Sequence, residues 1–307
     1  LAGGAALNCV INRKILDDGN FRDLFIQPAS SDEGIPLGCA LHGYYKSGGQ
    51  KRTQMEAAYL GVPNDPATID SVCQVWNIKA NRVSPEEVAK RLAAGQVIGR
   101  IAGASEYGPR ALGNRSILAD PRPPDMKGRI NKQIKHREDF RPFAPSCLED
   151  SIPVCFNSPK HSPFMLLAGI VSEEGKNKFP SVVHTDGTSR IQTVSRRQNA
   201  SYHNLIRAFH RATGCPVLLN TSFNDRNEPI VETYDDAINC FFRTGLDGLL
   251  MEDRFIERDG AAPPINREAI LTDTQARVEK EYRDLIERFC DVDAYVTLGE
   301  RLNERYE

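Results

Sequence analysis

The 307 residues are 40% hydrophobic and 26% charged, with 39 Lys or Arg against 41 Asp or Glu and a formal net charge of -2. That balance fits a soluble globular protein of one or two domains and argues against a general nucleic-acid coat protein. No apolar run approaches the roughly 20 residues of a membrane span, nothing resembles a signal peptide, and eight cysteines without a Cys-x-x-Cys pair predict reduced, mostly buried thiols of a cytoplasmic protein.

The first segment, Leu1-Ala-Gly-Gly-Ala-Ala-Leu-Asn8, predicts a strand end turning through Gly3 and Gly4 into a helix. Such a turn leaves backbone N–H groups that suit an anion, although a plain strand-to-helix turn explains the same residues. Gly38-Cys-Ala-Leu-His42 predicts a tightly packed helix, and the polar run 46–54 predicts a break. Residues 63–82 show little regular pattern and read as a linker. A new unit starts at Ser84-Pro-Glu-Glu87, a capping box with proline at the first helical position. Val88 and Leu92 give that helix an apolar face, Gly95 ends it, and 96–101 follow as a strand. The strand delivers the chain to 106–146, where nine Lys or Arg meet five carboxylates. Cations set between Gly, Pro and Asn suggest close backbone approach to a phosphate-rich ligand, the planar fork of arginine matching phosphate oxygens. Glu106 and Arg110 then stand just past a strand end, where α/β folds tend to place ligands.

A second unit follows. Residues 202–214 predict an amphipathic helix with a glycine stop, Pro216-Val-Leu-Leu219 a buried strand, and Asn220-Thr-Ser-Phe-Asn224 a polar turn at its end. Thr233 caps a helix running to Thr244, and Gly248-Leu-Leu-Met251 is another strand. From Arg267 a charged amphipathic pattern predicts a helix for packing or partner binding.

These words, in this order, resemble the O-carbamoyltransferases of the NodU/CmcH, TobZ-like family. The resemblance rests on Leu1–Asn8, Gln27-Pro-Ala-Ser-Ser-Asp32, Glu106-Tyr-Gly-Pro-Arg-Ala-Leu-Gly-Asn-Arg115 with its continuation to Arg122, and Phe140-Arg-Pro-Phe-Ala-Pro-Ser146. His184-Thr-Asp-Gly-Thr-Ser-Arg190 and Cys215-Pro-Val-Leu-Leu-Asn-Thr-Ser-Phe-Asn224 complete it, so the match covers residues 1 to about 255. It implies a mixed α/β fold: a partial actin/Hsp70-like (Kae1-like) lobe, then a YrdC-like α/β domain with a twisted sheet, then a C-terminal helix. The expected boundaries are 1–62 for the end of the Kae1-like carbamoyl-transfer lobe, 63–82 for the linker, 83–262 for the YrdC-like unit, and 263–307 for a helical extension.

The family resemblance implies ATP-dependent formation of carbamoyladenylate from carbamoyl phosphate, then carbamoyl transfer to a hydroxyl of a sugar, antibiotic or other natural product. ATP is a substrate with Mg2+, and the complete transfer lobe is expected to hold a divalent metal, Fe2+ being the first choice. Asp32 matches the one metal aspartate present; the metal histidines belong to a part the sequence lacks, so a missing N-terminal half or a second chain is expected to supply them. Lys135 and Arg141 match the positions that grip phosphate and carbamoyl groups, with Arg110 and Arg190 as the other catalytic candidates. Arg115, Asn131, Asn220, Ser222, Asn224, Gly3, Gly4 and Asn8 are candidates for contact with nucleotide or carbamoyl phosphate. Arg115 could instead hold its own loop, Asn220 could brace a turn, and Arg137, beside Glu138 and Asp139, reads as solvent-facing.

Two other functions fit parts of the pattern. Threonylcarbamoyladenylate synthesis for tRNA modification uses a YrdC-like fold, and the basic face would also suit an RNA-binding module. Tight loops with few interleaved aromatics make nucleic acid the less favoured partner, and nothing predicts a membrane.

Overall fold

Asn8 starts the first helix: its side-chain oxygen accepts from the backbone N–H groups of Val10 (3.1 Å) and Ile11 (3.2 Å), capping α1 (Cys9–Asp18). In this computed structural model the described residues are 1–19, 21, 24–52, 55–157, 161–226 and 228–258. The expected extension over 263–307 lies outside them. The expected strand before α1 does not form. Gly4–Leu7 is a 3-10 turn, because Leu1 meets the 25–27 loop rather than a sheet edge, its carbonyl accepting from the N–H of Gln27. Helix α2 (Ile35–Lys46) is present, but none of its residues is buried, so the expected tight packing is absent among the described residues.

The segment read as a linker is also structured. Ile69, Val72, Cys73 and Trp76 fall at helical spacing on α3 (Ile69–Val75) and its C-cap, and all four enter the main core. The Trp76 indole N–H donates to Asp235 at 2.8 Å, tying this segment across the domain. Strand β1 (Asn81–Arg82) follows, then α4 (Pro85–Ala93) with the expected Ser84–Glu87 capping box.

The remaining described residues build one mixed sheet with helices against it. In order come β2 (Ile98–Ile101), β3 (Arg115–Ala119), α5 (Met126–Gln133), β4 (Ala144–Leu148), α6 (Ile152–Cys155), β5 (Phe156–Asn157) and β6 (Leu167–Val171). They are followed by α7 (Glu173–Lys178), β7 (Thr188–Val194), α8 (Ala200–Thr213), β8 (Val217–Ser222), α9 (Tyr234–Arg243), β9 (Gly248–Met251) and β10 (Arg254–Glu257). The ten strands lie in the order β1-β10-β9-β2-β3-β8-β4-β7-β6-β5. Only β2–β9 and β4–β7 pair in parallel; the other neighbours are antiparallel. Strands β2, β3, β4 and β9 are buried throughout; β9 (Gly-Leu-Leu-Met) is the continuous apolar run expected of a strand covered on both faces, whereas β2, β3 and β4 bury Arg100, Arg115, Ser116 and Ser146 as well. Helices α8 and α9 press Tyr202, Ile206, Phe209, Ile238 and Phe241 into this core.

Strand β8 sits between β3 and β4 and runs opposite to both. Its C-terminal end therefore lies beside the N-terminal ends of its neighbours. Ser222 stands opposite Ser116, and Asn220 opposite Ala144. The cleft described below opens at that edge of the sheet.

Candidate functional site

The Glu106–Arg115 loop is held from inside. One oxygen of Glu106 accepts from the backbone N–H groups of Leu112 (2.7 Å), Asn114 (2.8 Å) and Arg115 (3.3 Å). Burial pushes this carboxyl up, while those N–H bonds and the Arg115 cation pull it back down. Arg100, almost wholly buried, donates to the Gly113 carbonyl and to Ser201 (2.9 Å), and stacks 5.4 Å over the Tyr202 ring. Two glycines make the loop possible. Gly108 has φ +121° and any Cβ would stand 2.7 Å from the Pro28 carbonyl oxygen; at Gly113, also at φ +121°, a Cβ would meet the Tyr202 ring at 2.3 Å.

Beyond the end of β8 lies a cleft of about 890 Å³, lined by Lys135, Arg137, Arg141, Ser222 and Asn224 among others. Lys135 is 6% exposed, and its ammonium donates to the Ser222 carbonyl (2.6 Å), the Asn224 carbonyl (2.8 Å) and the Asn224 side-chain oxygen (2.8 Å). Burial, then the Arg137 cation, lowers its pKa to about 7, whereas the three oxygens favour the charged form. Arg141 is 53% exposed and only loosely paired with Glu138 at 3.9 Å. Ser222 donates its hydroxyl to Asn224 at 2.6 Å, which sets the turn that receives Lys135.

Arg110 and Arg190 form a second cationic pair. Arg110 helps lower the pKa of Arg190, and both lie close to Cys9 of α1. Their Nε atoms are buried without a partner, and no carboxylate pairs with either among the described residues. Arg190 lies on β7 and is lowered to about 10 by burial, then by Arg110, with Arg137 adding to the same effect. Arg137 is thus the electrostatic neighbour of both cation groups.

The other sequence candidates take different places. Arg115 is 0% exposed and donates to the carbonyls of Ala102 (3.0 Å), Gly103 (3.1 Å) and Glu232 (3.2 Å), so it braces loops instead of lining the cleft. Asn220 is buried in β8, donating to Ser146 (3.0 Å) and Gln192 (3.0 Å) within a core polar network. Asn131 is 0% exposed beneath the cleft, and both ends of its amide hold the 137–141 loop. Asn8 caps α1, and Gly3 and Gly4 enter the 3-10 turn before it; none of the three lines the cleft.

Asp32 begins a 3-10 turn at Asp32–Gly34. Among the described residues no group of three or more His, Cys, Asp or Glu is placed to hold a metal ion. The described residues therefore do not make up a metal centre by themselves. Sequence reasoning missed Arg137, half-buried over the Phe143 ring at 4.7 Å. The alternating positions 135, 137 and 141 within one loop were the available signal, masked by Glu138 and Asp139. No helix among the described residues is long and apolar enough to cross a membrane.

Comparison with known proteins places these residues. The carbamoyltransferase C-terminus family model matches residues 89–258, and the carbamoyltransferase N-terminus model matches residues 1–41. The chain is 44% identical over 273 residues to nodulation protein NolNO of Sinorhizobium fredii, covering 86% of this chain and 40% of that protein. It is 44% identical over 261 residues to nodulation protein NolO of Bradyrhizobium diazoefficiens (82% of this chain, 47% of that protein). It is 36% identical over 224 residues to nodulation protein U of S. fredii (73% and 39%). The chain thus spans less than half the length of these curated relatives. A solved structure of full-length HypF in its phosphate- and nucleotide-bound form aligns with 56% of this chain and 25% of that one, at 16% identity and a TM-score of 0.38, too slight a likeness to bear on the site.

Proposed function

The chain belongs to the carbamoyltransferase family, and on that premise we propose that its cleft forms carbamoyladenylate from carbamoyl phosphate and ATP for transfer to a hydroxyl of a small metabolite. In this reading water cleaves carbamoyl phosphate to carbamate and phosphate. A carbamate oxygen then attacks the α-phosphorus of ATP, the bond to the bridging oxygen breaks, and pyrophosphate leaves. In the transfer step an acceptor hydroxyl attacks the carbamoyl carbon, its proton is lost, and AMP departs. ATP enters with Mg2+ as substrate. A divalent metal for the transfer step would need ligands besides Asp32.

Lys135 and Arg141 are assigned to the phosphates, with Ser222 and Asn224 as hydrogen-bonding partners of nucleotide. Arg110 and Arg190 are assigned to the carbamoyl and phosphate end nearest α1. Residues 83–262 are read as the YrdC-like unit and 1–62 as the end of a Kae1-like lobe. The match of the C-terminus and N-terminus family models to 89–258 and 1–41 supports that division.

The observation that carries the proposal is the convergence of Lys135, Arg137 and Arg141 on one cleft with Ser222 and Asn224. Cations aimed where phosphate charge builds in the transition state accelerate the step, and a cleft that limits water protects a carbamate that decomposes readily. The test is exchange of labelled pyrophosphate into ATP by this chain, with carbamoyl phosphate in one arm and threonine plus bicarbonate in the other. Exchange dependent on carbamoyl phosphate is expected. Exchange that needs threonine, or none in either arm, would overturn the assignment.

A further inference from the structure

The loop that closes α5 turns through a residue whose backbone suits glycine. His136 adopts φ +45°, and of the four non-glycine residues with positive φ among the described residues it alone lines the cleft. The turn is pinned on both sides: the Lys135 N–H donates to the Ile130 carbonyl at 2.9 Å, and the Arg137 N–H donates to the Asn131 carbonyl at 3.0 Å. From the loop after β8, Arg226 donates to the His136 carbonyl at 3.3 Å. Glycine would make the same turn without the cost of a side chain in the left-handed region. What histidine adds there is an imidazole in the cleft.

His136 is exposed, and its ring makes no hydrogen bond or ion pair among the described residues. The other groups lining the cleft are engaged or unsuited to accept a proton. Lys135 directs its donors to three oxygens, and Lys132, Arg137, Arg141 and Arg226 are cations. Glu138 lies 3.9 Å from Arg141, and Asp225 accepts from the Arg226 backbone N–H at 2.6 Å. The Asp139 side chain lacks such a partner among the described residues, but a carboxylate is a weak base at neutral pH. A neutral imidazole is matched to taking up a proton there.

We propose that His136 is the general base of the first step, taking a proton from the water that cleaves carbamoyl phosphate. The proposal rests on reading the cleft as the ATP and carbamoyl phosphate site. As the proton moves to the ring nitrogen, the water oxygen bonds to phosphorus. The bond from phosphorus to the bridging oxygen breaks, and carbamate leaves with that electron pair. The products are hydrogen phosphate and carbamate, and the imidazolium then gives its proton to solvent. Lys135 and Arg137, on either side of His136, line the same cleft, so the base stands beside the cations assigned to the phosphates.

The experiment supplies carbamate from two sources in the pyrophosphate-exchange assay on the whole chain. Carbamoyl phosphate has to be cleaved first, whereas ammonium bicarbonate forms carbamate in solution and bypasses that step. His136→Asn and His136→Gly both accept the left-handed backbone, so each should keep the wild-type guanidinium unfolding midpoint. Each is expected to exchange roughly 100- to 10,000-fold more slowly with carbamoyl phosphate, the range for loss of a general base, and at the wild-type rate with ammonium bicarbonate. Asp139→Asn should match the wild type with both sources. Equal losses with both sources in the His136 variants would make the residue a structural or ligand-binding one and overturn the role, as would unchanged rates with both. A loss confined to carbamoyl phosphate in Asp139→Asn, with the His136 variants intact, would move the base to the carboxylate. Wild-type exchange with ammonium bicarbonate alone would overturn the cleavage step while leaving adenylate formation in the cleft. If the wild type exchanged with neither source, the cleft assignment would fail, and this inference with it.

Discussion

Raising the pH should weaken ATP binding, and the environment of Lys135 sets how much. Burial and the Arg137 cation bring its pKa to about 7, far below the ordinary 10.5. A bound phosphate beside the ammonium supplies the missing countercharge and raises the pKa again, so binding above about pH 7 takes up a proton. Below that value the group is charged both free and bound and contributes no pH dependence. Above it, affinity falls by up to tenfold per pH unit. Between pH 7.5 and 9.0 the charged fraction of a group titrating at 7 drops roughly 25-fold, and affinity should drop with it if the bound pKa exceeds 9. The window avoids the terminal phosphate, whose own pKa is about 6. Folding stability moves the other way. A base depressed in the native state destabilises fully below about 7, and that penalty is relieved as pH rises toward the unfolded value. Calorimetry in buffers of different ionisation enthalpy counts the proton directly. Lys135→Arg, charged throughout, should still bind while losing the slope. A wild-type profile as flat as that of the arginine variant would mean that the three oxygens around the ammonium outweigh burial, and the reasoning would be wrong.

Other consequences follow from the supporting loop. Glu106→Ala strands three backbone N–H groups and should cost roughly 3 kcal/mol, read as a lower guanidinium midpoint, with Glu106→Gln losing less because its amide oxygen can still accept. Gly113→Ala forces a methyl to within 2.3 Å of the Tyr202 ring at a φ that disfavours alanine; a loss of roughly 2 to 4 kcal/mol by thermal unfolding is expected. Asp32→Ala should leave carbamoyl-phosphate-dependent pyrophosphate exchange unchanged, because Asp32 does not line the cleft; a large loss of exchange would place it in adenylate formation after all.

Elements with local signals were readable. The Ser84 and Thr233 caps, the glycine after α8, strand β2 and the apolar run of β9 all lie where the sequence points. Helix α3 was not read, although Ile69, Val72, Cys73 and Trp76 have the right spacing, because two turns between polar stretches give few repeats of the period. The packing of α2 failed for another reason: small residues show how close a neighbour can come, not whether one is there. Among the site residues, the family resemblance singled out Lys135 and Arg141, and both line the cleft. For Arg115 and Asn220 the sequence left loop-holding and ligand contact open, since an arginine fork suits three backbone carbonyls as well as it suits a phosphate, and for Asn131 it gave no sign of an inward turn.

That ambiguity resolves into a division of labour within one basic segment. The inward-facing cations that hold the Glu106–Arg115 loop have protein partners: Arg100 of β2 meets Gly113 and Ser201, and Arg115 meets the carbonyls of Ala102, Gly103 and Glu232. Those that face the sheet edge lack carboxylates or hold them loosely, and Arg137 and Arg190 are both depressed to about 10 by burial and by other arginines. Unfavourable charge of this kind would relax if the loops could move apart. The inward arginines, the Glu106 carboxylate and the Asn131 amide prevent that by fixing the backbone on which the outward cations stand. The two halves therefore depend on each other: satisfied buried polar groups supply the rigidity, and the unsatisfied cations beside them supply an attraction that only an incoming anion can relieve.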